Sequence, residues 1–204
     1  MISLLALLAG FLLDLLIGDP HFLYHPVRLV GALISFLEKV IRKIFPKTEK
    51  GELAGGTLMA VLVMAVTTAV PALLLYFAGL WCVQARFVVE MILCYWLLAT
   101  KSLKDESMKV YDKLAAGDLE GSRYAVSMIV GRDTAVLDEK GVTKAAVETV
   151  AENTSDGIIA PMLFMAIGGA VFGWFYKSIN KNADMLAVGV LWGFRPAEDR
   201  KSVV

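Results

Sequence analysis

No charged residue occurs between residues 53 and 80. A helix crossing the hydrocarbon core of a bilayer needs about 20 predominantly apolar residues, because lipid offers its backbone no hydrogen-bond partner. This stretch therefore predicts a membrane helix, entered at Gly55-Gly56, with Pro71 predicting a kink or a break into two helical pieces. Three further stretches follow the same logic. Residues 1–18 carry only Asp14, residues 157–176 carry no charge, and residues 87–99, interrupted by Glu90, extend back through residues 81–85. The first stretch lacks the basic start of a secretory signal, since no Lys or Arg precedes Arg28, and is expected to be a retained helix. Hydrophobic residues make up 57% of the chain and mean hydropathy is +0.64, against roughly 45–50% apolar residues in soluble domains. The expected fold class is all-α, a multi-pass integral membrane helical protein with a helical loop region.

Twenty basic residues balance twenty acidic ones, so no basic footprint supports a nucleic-acid partner. Cys82 and Cys94 lie in apolar surroundings away from any His and suggest neither a disulfide scaffold nor a zinc site. Two polar loops lie between the spans. Residues 19–52 hold six basic residues, and residues 100–156 hold eight basic and eleven acidic ones, while the connector between the second and third spans carries only Arg86. The positive-inside rule places both loops in the cytoplasm, at the cytoplasmic (inner) cell membrane. In the second loop, residues 102–116, 118–126 and 141–152 read as helices, and no strand alternation competes.

Three polar clusters stand out. Asp14, Gly18-Asp19-Pro20 and His25-Pro26-Val27-Arg28 surround the end of the first span. A carboxylate inside an apolar span costs roughly 2.5–3.5 kcal/mol on insertion scales, which marks it as functional by default; the bland alternative is an exit turn in which Asp14 caps a helix or pairs with Arg28. The second cluster runs from Ser127 to Thr134, where Gly131 with Arg132, Asp133 and Thr134 offers backbone N–H groups and a guanidinium to a phosphate; by itself it reads better as a helix start. The third, Glu148-Thr149-Val150-Ala151-Glu152-Asn153-Thr154-Ser155-Asp156-Gly157, sets two carboxylates at i and i+4 on one helical face. Such a pair repels unless a cation intervenes, and Mg²⁺ takes oxygen ligands of this kind; a solvated acidic face is the usual alternative, weakened here by the apolar run that begins at Gly157. His21 and His25 flank prolines that make a regular metal-binding helix doubtful.

Taken together, these motifs resemble the adenosylcobinamide-phosphate synthases of cobalamin biosynthesis, the CobD/CbiB family. The resemblance rests on Asp14 with Gly18-Asp19-Pro20, on His25-Pro26-Val27-Arg28-Leu29, on Ala99-Thr100-Lys101-Ser102-Leu103, on residues 127–134 and 147–161, and on Tyr176-Lys177-Ser178-Ile179-Asn180. It implies a membrane ligase that joins aminopropanol, or its O-phosphate, to the propionate carboxyl of adenosylcobyric acid, with ATP as co-substrate and Mg²⁺ as cofactor. Amide formation needs an activated carboxyl, read here as an acyl phosphate, before an amine can attack. On that reading Glu148, Glu152 and Asp156 hold magnesium. Asp19, His25, Arg28, Arg132 and Asp133 are the catalytic candidates, and Ser127, Gly131, Thr134, Asn153 and Lys177 bind the nucleotide or phosphate. Other corrin-pathway enzymes are the protein partners it implies, and the bilayer is the surrounding medium.

The resemblance covers residues 1–180. Residues 181–204 depart from the family pattern: the run from Met185 to Pro196 is briefly similar to a phosphoglycolate-phosphatase-type hydrolase, and residues 199–204 are those a common sequencing adapter would encode. The tail is therefore expected to be foreign and the family region incomplete. Two other classes compete: a transport subunit using Asp14 and Glu90 as intramembrane ion-coupling carboxylates, and a non-catalytic scaffold.

Overall fold

The computed structural model describes residues 2–19, 26–46, 48–131 and 133–193, leaving outside that description the side chains of residues 26–28, 49 and 181–193. Every regular element among them is helical: α1 (Ile2–Ile17), α2 (Pro26–Ile44), α3 (Glu49–Trp81), α4 (Val83–Tyr95), α5 (Thr100–Ala115), α6 (Leu119–Ser127), α7 (Glu139–Thr154), a π-helical segment (Ser155–Ile159) and α8 (Ala160–Gly193).

Two cores form. The larger gathers Leu7 of α1, Leu75 of α3, Leu93, Cys94, Leu97 and Leu98 at the end of α4, and Met165, Ala170 and Trp174 of α8. The smaller joins Val110, Val126, Val142 and Ala145 from α5, α6 and α7 into a polar-surfaced three-helix unit at one end of the apolar bundle. The outer faces of α1 and α3 remain apolar, with Leu16, Phe77, Leu80 and Trp81 exposed, as lipid requires. Small residues bring backbones together: a Cβ on Gly10 of α1 would lie 2.8 Å from the Met91 carbonyl oxygen of α4.

Helix α3 runs through Pro71 as one element rather than breaking there. A proline removes a single ladder bond, and the apolar run on either side supplies every other residue of the span. Among the described residues, three stretches are long and apolar enough to cross a membrane: residues 50–81, 83–115 and 139–180. The third does not continue straight. At Gly168 (φ −131°, ψ 19°) and Gly169 (φ 66°, ψ −166°) the helical torsions are lost. Beyond them the chain folds back. Phe164 and Tyr176 stack with ring centroids 4.8 Å apart, whereas twelve residues of straight helix would separate them by about 18 Å. A Cβ on Gly173 would likewise lie 2.5 Å from Met165 Cγ. Helix α8 is therefore a hairpin with its tip at Gly168-Gly169, and the expected single crossing over residues 157–176 is corrected to a re-entrant pair of arms. From Gly157, where the apolar run begins, to the tip, the first arm spans about 17 Å, short of the roughly 30 Å of a bilayer's hydrocarbon core. Irregular backbone at that depth survives only when buried in protein, and Gly169, Ala170 and Met165 are buried. The indole of Trp174 anchors the return arm by donating from Nε1 to the Leu93 carbonyl at 3.2 Å. That carbonyl is spared by the tightened end of α4, where the Leu97 N–H bonds to Cys94 instead.

Candidate functional site

The hairpin returns the chain to the polar end, and this places the site. Helix α7 starts where the Asp138 carboxylate accepts from the Gly141 N–H at 2.8 Å. Over the next turns Glu148 and Glu152 fall on one face, and the π-helical turn after Thr154 swings Asp156 and Gly157 to the same side. An inserted π turn re-aims side chains without ending the helix, and such turns recur at functional sites. The return arm of α8 contributes Lys177 and Asn180, one turn apart, and the loop after α6 closes the third side with Ile129, Val130 and Gly131. Together with Thr149 and Asn153 they line an open cavity of about 390 Å³. Asn153 is steadied by its Nδ2 donating to the Thr149 carbonyl at 2.9 Å, and Glu148 lies 3.6 Å from Lys144 one turn earlier.

Six of the residues singled out from sequence thus share one cavity: Gly131, Glu148, Glu152, Asn153, Asp156 and Lys177. Three others build the loop beside it instead of its wall. Thr134 is buried and donates to the Arg123 carbonyl at 3.0 Å, Asp133 accepts from the Ala135 N–H at 3.0 Å, and the Ser127 hydroxyl turns back onto the Tyr124 carbonyl at 2.7 Å. The side chains of His25, Arg28 and Arg132 lie outside the described residues. Thr149 and Asn180, which belong to the quoted motifs but carry no assigned role there, also line it. Asn180 was legible as the i+3 neighbour of Lys177, and Thr149 as the residue beside Glu148.

Asp19 belongs to a second polar cluster, where α1 meets α5. Asp14, with no exposed surface, accepts the Thr100 N–H on Oδ2 at 2.8 Å, capping a helix whose own N-cap, Ala99, has no side chain for the task. The Asp19 N–H donates to Ser102 Oγ at 3.1 Å, and that hydroxyl donates in turn to Asp19 Oδ2 at 3.3 Å. Lys101 Nζ donates to the Leu16 carbonyl at 2.7 Å, and the Tyr95 hydroxyl to that of Gly18. The intramembrane acid is thus a cap supplied by a distant helix, and the cluster is a latch between the apolar bundle and the polar unit.

The family model for CobD/Cbib proteins matches residues 7–189, a span that takes in both clusters and passes the boundary expected at residue 180. The chain belongs to the CobD/Cbib family. A protein of Geobacter metallireducens named cobalamin biosynthesis protein CobD is 46% identical over 173 residues, which are 85% of this chain and 53% of that protein. The protein of the same name from Clostridium perfringens is 42% identical over 177 residues, 87% of this chain and 55% of its own length, and that of Clostridium tetani 41% identical over 189 residues. The chain spans about half the length of these curated relatives. No solved structure matches.

Can the CobD/Cbib cavity accept magnesium? Among the described residues no three acidic, His or Cys side chains stand close enough to ligate one ion together. Magnesium does not need them to, since it keeps several waters and is bound through one or two carboxylates plus substrate phosphates. Glu148, Glu152, Asp156 and Lys177 line one cavity, so the expected three-carboxylate ligand set is corrected to at most two of these carboxylates on one ion.

Proposed function

We propose that this chain forms part of a membrane-bound, ATP-dependent ligase of cobalamin biosynthesis, joining aminopropanol or its O-phosphate to adenosylcobyric acid through an amide bond. The observation that carries the reading is the cavity itself, where three carboxylates and Lys177 surround about 390 Å³ at the polar end of the bundle. Three negative charges against one positive would repel a polyphosphate. A divalent cation held by Glu152 and Asp156 would cancel that net charge and supply charge neutralisation at the transferring phosphoryl group.

The chain's own residues then have defined tasks. Lys177 binds phosphate oxygens as a point charge, and the Gly131 N–H serves the same oxygens from the loop. Asn153, held by the Thr149 carbonyl, orients a substrate hydroxyl or amide. Glu148, at the rim with half of its side chain exposed, is placed to take a proton from an incoming ammonium group. The cavity opens toward the polar side, suiting water-borne, phosphorylated substrates, and the positive-inside argument makes that side cytoplasmic.

The test is complementation of a cobinamide-requiring strain by this chain extended with a relative's remaining length, beside Glu152→Ala and Lys177→Ala versions. Both substitutions should lower ATP-dependent amide formation by about 10²-fold or more in membranes carrying equal protein. Unchanged product formation in both would remove the cavity from the reaction.

A further inference from the structure

The tip of the α8 hairpin meets a residue that the proposed ligase chemistry does not use. Glu90 of α4 is 2% exposed, and its Oε2 has no hydrogen-bond partner. It is aimed at the tip: a Cβ built on Gly169 would lie 2.5 Å from Glu90 Oε1 and 3.4 Å from the Ser3 hydroxyl oxygen of α1. Side-chain oxygens of α4 and α1 therefore flank the tip of α8. Helical torsions are lost at Gly168-Gly169, and a helix interrupted in this way cannot keep its i to i+4 ladder unbroken across the turn.

We infer that Glu90, Ser3 and the broken backbone at Gly168-Gly169 form a binding site for one small monovalent cation of sodium's size. An unpaired carboxylate in hydrocarbon is costly, and among the described residues no cationic side chain forms an ion pair with Glu90. A hard cation takes carboxylate and hydroxyl oxygens, both of which flank the tip here, together with backbone carbonyls. The single carboxylate sets the charge: a monovalent ion leaves the site neutral, whereas a divalent ion would leave an uncompensated positive charge in the bilayer. Interrupted membrane helices use the same parts, with carbonyls freed at a break coordinating small cations near the midplane. The ion would pin the hairpin tip to α1 and α4, and so fix the return arm that carries Lys177 into the cavity.

The full chain in lipid nanodiscs is the test, with sodium, lithium, potassium or choline chloride exchanged at constant ionic strength. Sodium at a hundredfold over its dissociation constant should raise the thermal midpoint by roughly 5–10 °C, saturably, and bound ²²Na⁺ should approach one per chain. Glu90→Gln should abolish both effects, and Ser3→Ala should weaken them. Choline matching sodium in the unsubstituted chain overturns the inference, as does a sodium response that survives Glu90→Gln. A Glu90→Gln chain as stable without sodium as the original is with it, alongside acid replacing sodium in the original, would assign the site to a proton and also overturn it. Should Glu90→Gln fail to fold, ²²Na⁺ binding and cation selectivity of the unsubstituted chain decide alone.

Discussion

Replacing Gly169 by alanine separates the hairpin from a straight helix by the sign of the effect. With φ 66° and ψ −166°, Gly169 occupies a region essentially reserved for glycine, and forcing alanine there costs about 1–3 kcal/mol. The new methyl group would also sit 2.5 Å from Glu90 Oε1, and overpacking of that kind adds about 1–3 kcal/mol. The sum is a loss of roughly 2–6 kcal/mol. In an uninterrupted helix the same substitution would instead gain about 0.8–1.0 kcal/mol from helix propensity. For a chain of this length each kcal/mol moves the thermal midpoint by roughly 2–4 °C, so a fall of at least about 4 °C is expected in nanodiscs. Gly56→Ala, in α3 with nothing within 4 Å of its new methyl, is the matched control and should leave stability unchanged or raise it. Measured in a Glu90→Ala background, Gly169→Ala should retain only the torsional part of its cost, about 1–3 kcal/mol. A rise in midpoint for Gly169→Ala would refute the hairpin, and with it the placement of Lys177 in the cavity.

The same topology predicts that a cysteine at position 144 and one at position 180 react with a membrane-impermeant maleimide from the same side, opposite to native Cys82 in the α3–α4 connector; opposite-side labelling of 144 and 180 would mean a full crossing. Asp14→Ala should destabilise by about 1–3 kcal/mol through loss of the buried acceptor for the Thr100 N–H, with Asp14→Asn costing less because an amide oxygen can still accept; equal unfolding midpoints for the two variants would argue against the cap. The Gly121 N–H and then Lys113 hold the Asp118 carboxyl below its usual range. A group depressed on folding contributes above its unfolded value, about 3.9, and loses that contribution as pH falls through the folded one. Hydrogen exchange of the α6 amides should therefore quicken at the acid end in the unsubstituted chain, and Asp118→Asn should flatten that change.

The smaller core shows how periodicity is filtered by packing. Apolar positions along α5 mark it as amphipathic, yet of Met108, Val110 and Tyr111 only Val110 is buried, while the other two are exposed. Helices α5, α6 and α7 appear within a few residues of their sequence positions because their caps are local: Asp118 accepts from Gly121 and Asp138 from Gly141, three residues on in each case. The cap of α5 could not be read in that way, because its acceptor lies 86 residues earlier, on Asp14.

Sequence alone determined the apolar spans, the polar loops and the facing carboxylates of α7, since each depends on neighbours within a few turns and on the inability of lipid to bond a backbone. It also marked Lys177, though without showing what that residue faces. Only the tertiary structure decided that residues 157–176 do not cross: Gly168-Gly169 permits either a straight helix or a turn, and hydropathy cannot distinguish a long span from two arms folded together. That one turn returns Lys177 to Glu152 and Asp156 and carries Glu90 to a broken helix tip. The physical reason is range, because helix periodicity is set within four residues whereas the fold-back is set by Trp174 on Leu93 and Met165 on Gly173, contacts no local pattern encodes.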